Sequence, residues 1–284
     1  MTSAHRAGPG SPAEATRLPS GTWVSLANLL GYHRRRFQAV WGSRAKGRRV
    51  THSDMREMIS PAPLPACEIL VCVYTCARHS ALLDEFHRSA VGQHLKQLPA
   101  GQVLEVTADP GIGRSYHQGS SLTVAVPESY ETLSLKTYEM IRYCYAQFDF
   151  HRLLKIDVTT VQAKFDSPDY AGRSPVDGAK LLKFLKESPA DRDYDGFRFH
   201  ARASRQNVEA WAAKKQGRID YERLFGSGPV APYFTGKAYF ISRGFAGFIS
   251  RHGNEMAEEH VRYLLGSEDV MIGRLYQQFS QGHS

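Results

Sequence analysis

The chain has 284 residues, of which 42% are hydrophobic and 23% charged. That composition fits one large folded domain or two small ones, and it excludes a mostly disordered chain, a collagen-like fibre and a disulfide miniprotein. The formal net charge is +8, and residues 1–50 hold nine basic residues against the single acid Glu14, so the whole excess sits there and the remainder is neutral.

Residues 1–20 are rich in Gly, Pro, Ser and Ala and are predicted to form a disordered tail. Residues 21–66 are predicted to be a basic amphipathic segment and linker. Trp23, Leu26, Leu29, Leu30, Phe37, Val40 and Trp41 are mixed with Arg34, Arg35 and Arg36, and Pro61, Pro63 and Pro65 close the segment. Two readings stay open: a helix lying on an anionic membrane surface, or a helix packed on the main domain with a solvated basic face. No run of about 18 apolar residues exists, and no apolar stretch precedes a small-residue cleavage site, so neither a membrane span nor a secretory signal is expected.

Residues 67–284 are predicted as one domain. Ile69–Tyr74 is a continuous apolar run, the pattern of a buried strand. A helix over 78–98, strands at Gln102–Thr107 and Leu122–Val126, and a helix over Glu128–Gln147 opened by Pro127 follow. Tyr130, Leu133, Thr137, Ile141 and Cys144 fall on one face of that helix. A strand over Arg152–Ile156 ends at Asp157. This order predicts a Rossmann-like half, in which ligands bind beyond the carboxyl ends of the strands. Thr75–His79, Pro127–Glu128 and Asp157–Thr160 then meet at one place. Further on, residues 166–178 are loop-like, Ala179–Glu187 is helical, and Tyr233–Ser242 is a strand interrupted by Gly236. Helices are predicted at 243–251, 256–265 and 268–279. Cys72 and Cys76 are four apart with no second pair, so Cys67, Cys72, Cys76 and Cys144 read as small buried residues in a reducing compartment before they read as a zinc site.

Four segments occur in a characteristic order: Glu128-Ser-Tyr-Glu-Thr-Leu-Ser-Leu-Lys-Thr137, Phe148-Asp-Phe-His-Arg-Leu-Leu-Lys-Ile-Asp157, Pro232-Tyr-Phe-Thr-Gly-Lys-Ala-Tyr-Phe-Ile-Ser242 and Glu268-Asp-Val-Met-Ile-Gly273. Together they resemble glycosyltransferase family 31, the β-1,3-galactosyltransferase/N-acetylglucosaminyltransferase family, over about residues 67–279. The resemblance implies an α/β fold of GT-A type, Rossmann-like and nucleotide-sugar-binding, with a mixed central sheet. It also implies a UDP-sugar donor, inverting transfer to a glycan hydroxyl and a β-1,3 linkage. Inverting transfer needs one carboxylate base opposite the leaving nucleotide. The resemblance puts that base in the Glu268–Asp269 pair, with Asp269 preferred; read alone, the pair is equally a set of acids favouring a helix N-terminus.

The chain departs from the family pattern in three places. The family's three consecutive aspartates hold a divalent cation, usually manganese, but here they read Asp157-Val158-Thr159. Asp157 is the one candidate metal ligand left, and weak or absent metal dependence is expected. The family's glycine-rich turn is Gly236-Lys237-Ala238, so Lys237 adds a cation near the donor. Lys136 and Lys155 match family lysines, while Arg78 and His79 follow the first strand. With Tyr130, Asp157 and Gly236 these residues are the candidate donor contacts, each basic one being a plain surface charge when read alone. Tyr233, Gly236 and Tyr239 are expected nearer the sugar and acceptor.

The third departure is Phe234, where animal members often carry Cys behind a membrane anchor. A cytoplasmic, bacterial-type enzyme is expected, peripheral on the inner membrane face, acting on a glycan or lipid-linked glycan. The neutral body argues against nucleic acid as a partner. The alternative is a non-catalytic relative, a chaperone or scaffold that keeps the fold and has lost the acidic motif.

Overall fold

A computed structural model describes residues 64–76, 79–98, 101–161, 178–201, 204–214, 219–263 and 267–282. The predicted tail, most of the basic segment, and Arg78 lie outside them. Among the described residues no helix is long and apolar enough to cross a membrane.

The elements in chain order are β1 (Ala66–Tyr74), α1 (Ser80–Arg88), α2 (Ala90–Lys96), β2 (Gly101–Ala108), β3 (Tyr116–Gln118), β4 (Ser121–Val124), α3 (Leu133–Gln147) and β5 (Asp149–Asp157), followed by a 3-10 turn over Val158–Val161. The second half adds α4 (Gly178–Glu187), β6 (Tyr194–Gly196), β7 (Phe199–His200), α5 (Arg205–Lys214), α6 (Tyr221–Phe225), β8 (Tyr233–Phe234), β9 (Ala238–Ser242), α7 (Arg243–Tyr263) and α8 (Glu268–Gln281).

Seven strands form one sheet in the order β3-β4-β2-β1-β5-β9-β6. β4, β2, β1 and β5 run parallel, and β3, β9 and β6 are each antiparallel to a neighbour. This is the mixed central sheet with a Rossmann-like half that the GT-A-type expectation requires. Helices cover both faces. On one, Leu70, Cys72, Tyr74 and Leu153 pack with residues of α3, α7 and α8. On the other, Val71, Val73, Leu154 and Ile156 pack with α1, α2 and α4. From Leu70 to Tyr74 both faces of β1 are buried, and that stretch is therefore continuously apolar rather than alternating.

Several boundaries differ from expectation for local reasons. β1 begins at Ala66, one residue inside the expected linker, and Asp149 N–H donates to Pro65 O at 3.0 Å. The helix predicted over 78–98 is two helices. Ser89 closes the first and caps the second, its Oγ accepting from Gly92 N at 3.0 Å and donating to Phe86 O at 2.6 Å. Pro127 opens a turn rather than a helix. Thr132 Oγ1 donates to Pro127 O at 2.7 Å, and the helix starts at Leu133. Tyr130 is consequently outside the helix and 38% exposed.

The strand predicted over Tyr233–Ser242 is split between two sheets, β8 pairing β7 in a separate ribbon while β9 joins the main sheet. The two helices predicted at 243–251 and 256–265 are one. Gly253 lies in its interior, where a Cβ would stand 3.0 Å from the Tyr138 ring. The glycine lets α7 approach α3 closely instead of breaking the helix. β3, β6, β7, α5 and α6 had no counterpart in the sequence reading. Two of the four thiols, Cys72 and Cys144, are buried and lie 3.8 Å apart; none of the four cysteines forms a disulfide.

Candidate active site

Register brings three segments together at the carboxyl end of β5. Tyr74 of β1 pairs with Asp157, and Ile156 pairs with Ala238 at the start of β9. The turn before β9 therefore lies beside the 3-10 turn, and Asp157 N–H donates to Lys237 O at 2.9 Å. The first turn of α8 closes the site from the other side. His260 of α7 helps fix where that helix begins. Its Nδ1–H donates to Ser267 O at 3.2 Å and its Nε2 accepts from Arg274 at 3.0 Å. Burial, then the Arg274 charge, push this imidazole down to about 3, which keeps it neutral and able to do both.

Glu268 and Asp269 meet the Gly236 turn in different ways. Lys155 Nζ donates to Glu268 Oε1 at 2.9 Å and also to Gly236 O. Both side chains are buried, at 1% and 9% exposure. Lys155 shares its strand face with Leu153 and Asp157, and its ammonium lies 4.6 Å from the Tyr74 ring centre and 5.8 Å from that of Tyr239. A Cβ at position 236 would collide with Glu268 Oε1, so a larger residue there would displace the Glu268 carboxylate from its place beside Lys155.

Asp269 is only half-buried, as Glu268 is not. Its Oδ2 accepts from Gly236 N–H at 3.3 Å and its Oδ1 from Val270 N–H at 2.9 Å. Burial, then the Glu268 charge, push the Asp269 carboxyl up to about 7 against the pull of those N–H groups and Lys155. The Tyr233 phenol is pushed up to about 12 by burial and by Asp269. A carboxylate that titrates near neutrality and keeps access to solvent can take a proton from a bound hydroxyl.

Asp157 Oδ1 accepts from Thr159 N–H at 2.8 Å and from Thr159 Oγ1 at 2.7 Å. Thr159 Oγ1 in turn accepts from Lys237 Nζ at 2.6 Å. Burial would raise Asp157, but Lys237, Lys155 and the two Thr159 bonds outweigh it and hold the carboxyl below its ordinary value. These residues do not fit a divalent cation. Val158 is fully buried in the apolar layer, Thr159 is committed to Asp157, and an ammonium already stands where a second positive charge would be repelled. Among the described residues no group of three or more His, Cys, Asp or Glu could hold a metal ion. Asp157, the candidate metal ligand, stands at one end of an Asp157–Thr159–Lys237 chain.

Two further candidate donor contacts turn inward. Lys136 Nζ donates to Thr75 O at 2.7 Å and to Glu128 Oε1 and Oε2 at 2.9 and 2.8 Å, using all three of its N–H groups. Glu128 Oε2 also accepts from Ala108 N–H at 2.7 Å. Lys136 is therefore a strut joining the ends of β1 and β2 to α3. Lys155 is likewise committed to Glu268 and Gly236. Tyr239 is completely buried, its ring 5.9 Å from that of Tyr194, so it belongs to the core rather than to a sugar pocket. Tyr233 remains half-buried beside Asp269. His79 is half-buried at the start of α1, its N–H donating to Cys76 O at 2.8 Å.

Two residues the sequence reading did not single out carry a different signal. Thr75 Oγ1, just past β1, and Thr160 Oγ1, just past β5, are buried without a hydrogen-bond partner. Both lie in the segments that strand topology selected; only the tertiary structure shows that they lack partners.

No protein-family model matches the chain, and no curated protein matches it. Among solved structures it is similar to mouse xyloside xylosyltransferase 1 in its apo form, with 8% identity over 77% of this chain and 82% of that one and a TM-score of 0.32.

Proposed function

We propose that the protein is an inverting glycosyltransferase that moves a hexose or N-acetylhexosamine from a UDP-sugar to a glycan hydroxyl, of the β-1,3-galactosyltransferase-like kind. The observation that carries this reading is Asp269. It is a half-buried carboxylate held near neutral pKa at the mouth of a Rossmann-like strand end, with the Lys237–Thr159–Asp157 chain on the neighbouring turn. In the proposed reaction the acceptor O–H gives its proton to an Asp269 carboxylate oxygen. The acceptor oxygen bonds the anomeric carbon from the face opposite the nucleotide, the bond from that carbon to the β-phosphate oxygen breaks, and its electron pair leaves on UDP. The Lys237 ammonium favours the charge that develops on the departing diphosphate.

A hydrolysis screen over a panel of UDP-sugars tests the donor. With the donor found, Asp269→Asn lowers the transfer rate by about 10²–10⁴-fold, the usual loss for a positioned base, and leaves donor affinity by calorimetry unchanged. Wild-type protein that neither hydrolyses nor transfers any donor overturns the enzyme reading in favour of the non-catalytic scaffold. Near wild-type transfer by Asp269→Asn moves the base to another residue.

Residues 21–50 are the proposed membrane contact, placing the protein on the inner membrane face near a lipid-linked glycan. Each basic residue close to an anionic leaflet contributes about 1 kcal/mol. Full-length protein binds phosphatidylserine-containing liposomes and is released by salt, while protein lacking residues 1–50 stays in solution. Equal binding by both removes the idea.

A further inference from the structure

We propose that Lys155 is a positioning residue for Asp269: by clamping Glu268 and the Gly236 carbonyl together, it neutralises the carboxylate adjacent to Asp269 and holds the Gly236 N–H in place to receive it. The clamp is built from both sides. Lys155 Nζ reaches Glu268 Oε1 at 2.9 Å and Gly236 O, and the same Gly236 donates its N–H to Asp269 at 3.3 Å. One glycine thus links the buried pair to the candidate base. A Cβ at Gly236 would meet the Glu268 carboxylate, so any side chain there would push it away from Lys155. With Lys155 walled in by Tyr74 and Tyr239, Glu268 has no comparable second cation in reach on the described elements.

The charged and titratable groups facing Asp269 are few and can be assigned by element. Glu268 lies on its own helix, Lys155 on β5, Tyr233 on β8, Tyr239 on β9 and Tyr194 on β6, and Asp269 raises the three phenols by its charge. Among the described residues, Lys155 is the cation that acts on Asp269. Removing it leaves two carboxylates side by side with no compensation, which favours a proton on Asp269. Removing the Glu268 charge does the reverse. Opposite and like charges at such range move a carboxyl by about one unit or more.

This inference depends on the glycosyltransferase reading for the reaction assayed, but not for the measurement that decides it. That measurement is the titration of the Asp269 side-chain carboxyl by ¹³C NMR in the full chain without substrate, compared with the pH–rate profile of transfer. Lys155→Met raises the Asp269 midpoint by about one unit and moves the acid limb of the rate profile upward with it. Glu268→Gln, close in shape to the native residue, lowers both by a similar amount. The double variant Lys155→Met with Glu268→Gln returns the midpoint toward that of wild type. A merely structural Lys155 would lower the rate equally at every pH and leave the midpoint where it was, and that result overturns the proposal. If Lys155→Met does not fold, an unmoved midpoint in Glu268→Gln overturns it alone. Midpoints that move as expected in a protein without transferase activity sustain the clamp and remove the enzyme reading instead.

Discussion

Two buried lysines, each paired with a glutamate, flank the same ring. Lys136 lies 5.2 Å from the centre of the Tyr74 ring and pairs with Glu128; Lys155 lies 4.6 Å from it and pairs with Glu268. Both ammonium groups are almost completely hidden, and both come from segments in which the sequence suggested a donor contact. The Glu128 pair ends on backbone, at Thr75 O and Ala108 N–H, and so ties strand ends to a helix. The Glu268 pair ends next to Asp269, a carboxylate that titrates near neutrality. A buried ion pair is weak evidence for stability and stronger evidence for fixed geometry. What distinguishes these two is what each one's geometry is fixed for.

The sharpest test of that contrast uses the lysine that belongs to neither pair. Lys237 is half-buried and reaches Asp157 through Thr159. Lys237→Met is expected to lower the transfer rate on the order of 10²-fold, the loss typical of one electrostatic donor at a developing anion, and transfer by wild type is expected to persist in a chelator. Chelation that abolishes transfer, with manganese restoring it, would assign the site a cation after all. Silence of Lys237→Met would leave the two buried pairs as the only lysines that matter.

Next in size is Lys136→Met. It strands the Thr75 carbonyl and the Glu128 carboxylate, and a buried acceptor without its donor costs about 1–3 kcal/mol. The urea midpoint should fall at constant m-value, while the pH–rate profile of the remaining activity keeps its shape. A profile that shifts as it does for Lys155→Met would erase the distinction between the pairs.

The smallest effect is on stability at Asp269. Its folded-state pKa of about 7 lies above the ordinary carboxyl value of 3.8, so the folded state holds the proton more tightly than the unfolded state. The stability this contributes is complete below about pH 4 and is lost as pH rises through about 7. Asp269→Asn should therefore melt higher than wild type at pH 8, and the difference should vanish near pH 4. A variant less stable than wild type at pH 8 would mean that the N–H bonds from Gly236 and Val270 outweigh the burial of the charge.

The segments that carry recognisable residues turn out to have separable structural reasons. Ser242 closes the strand of its segment and caps α7, its Oγ accepting from Phe245 N–H at 3.1 Å. Thr137 accepts the Tyr74 phenol at 3.1 Å. Gly236 is required by Glu268, and Gly273 by the close approach of α8 to Pro232 and Tyr233. A residue pattern can thus combine site and scaffold, and Lys136, Lys155 and Tyr239 are the members whose side chains turn inward.

The amino-acid sequence by itself determined the parallel half of the sheet and the strand ends where chemistry could gather. β1, β2, β4, β5 and α3 announce themselves because burial on one or both faces writes a local pattern of period 2, 3.6 or continuous apolarity. It also singled out Asp269, Asp157 and Lys237 as residue types able to do the work. The tertiary structure decided which charges are spent and which remain available. Lys155 faces Glu268 across 113 positions of chain, Thr159 stands between Asp157 and Lys237, and the hydroxyls of Thr75 and Thr160 are left without partners. The same holds for the two-residue strands β7 and β8, too short to show a period and formed by pairing with each other. Pairing across long separations and desolvation both depend on what surrounds a side chain in space, and neither leaves a periodic mark along the chain.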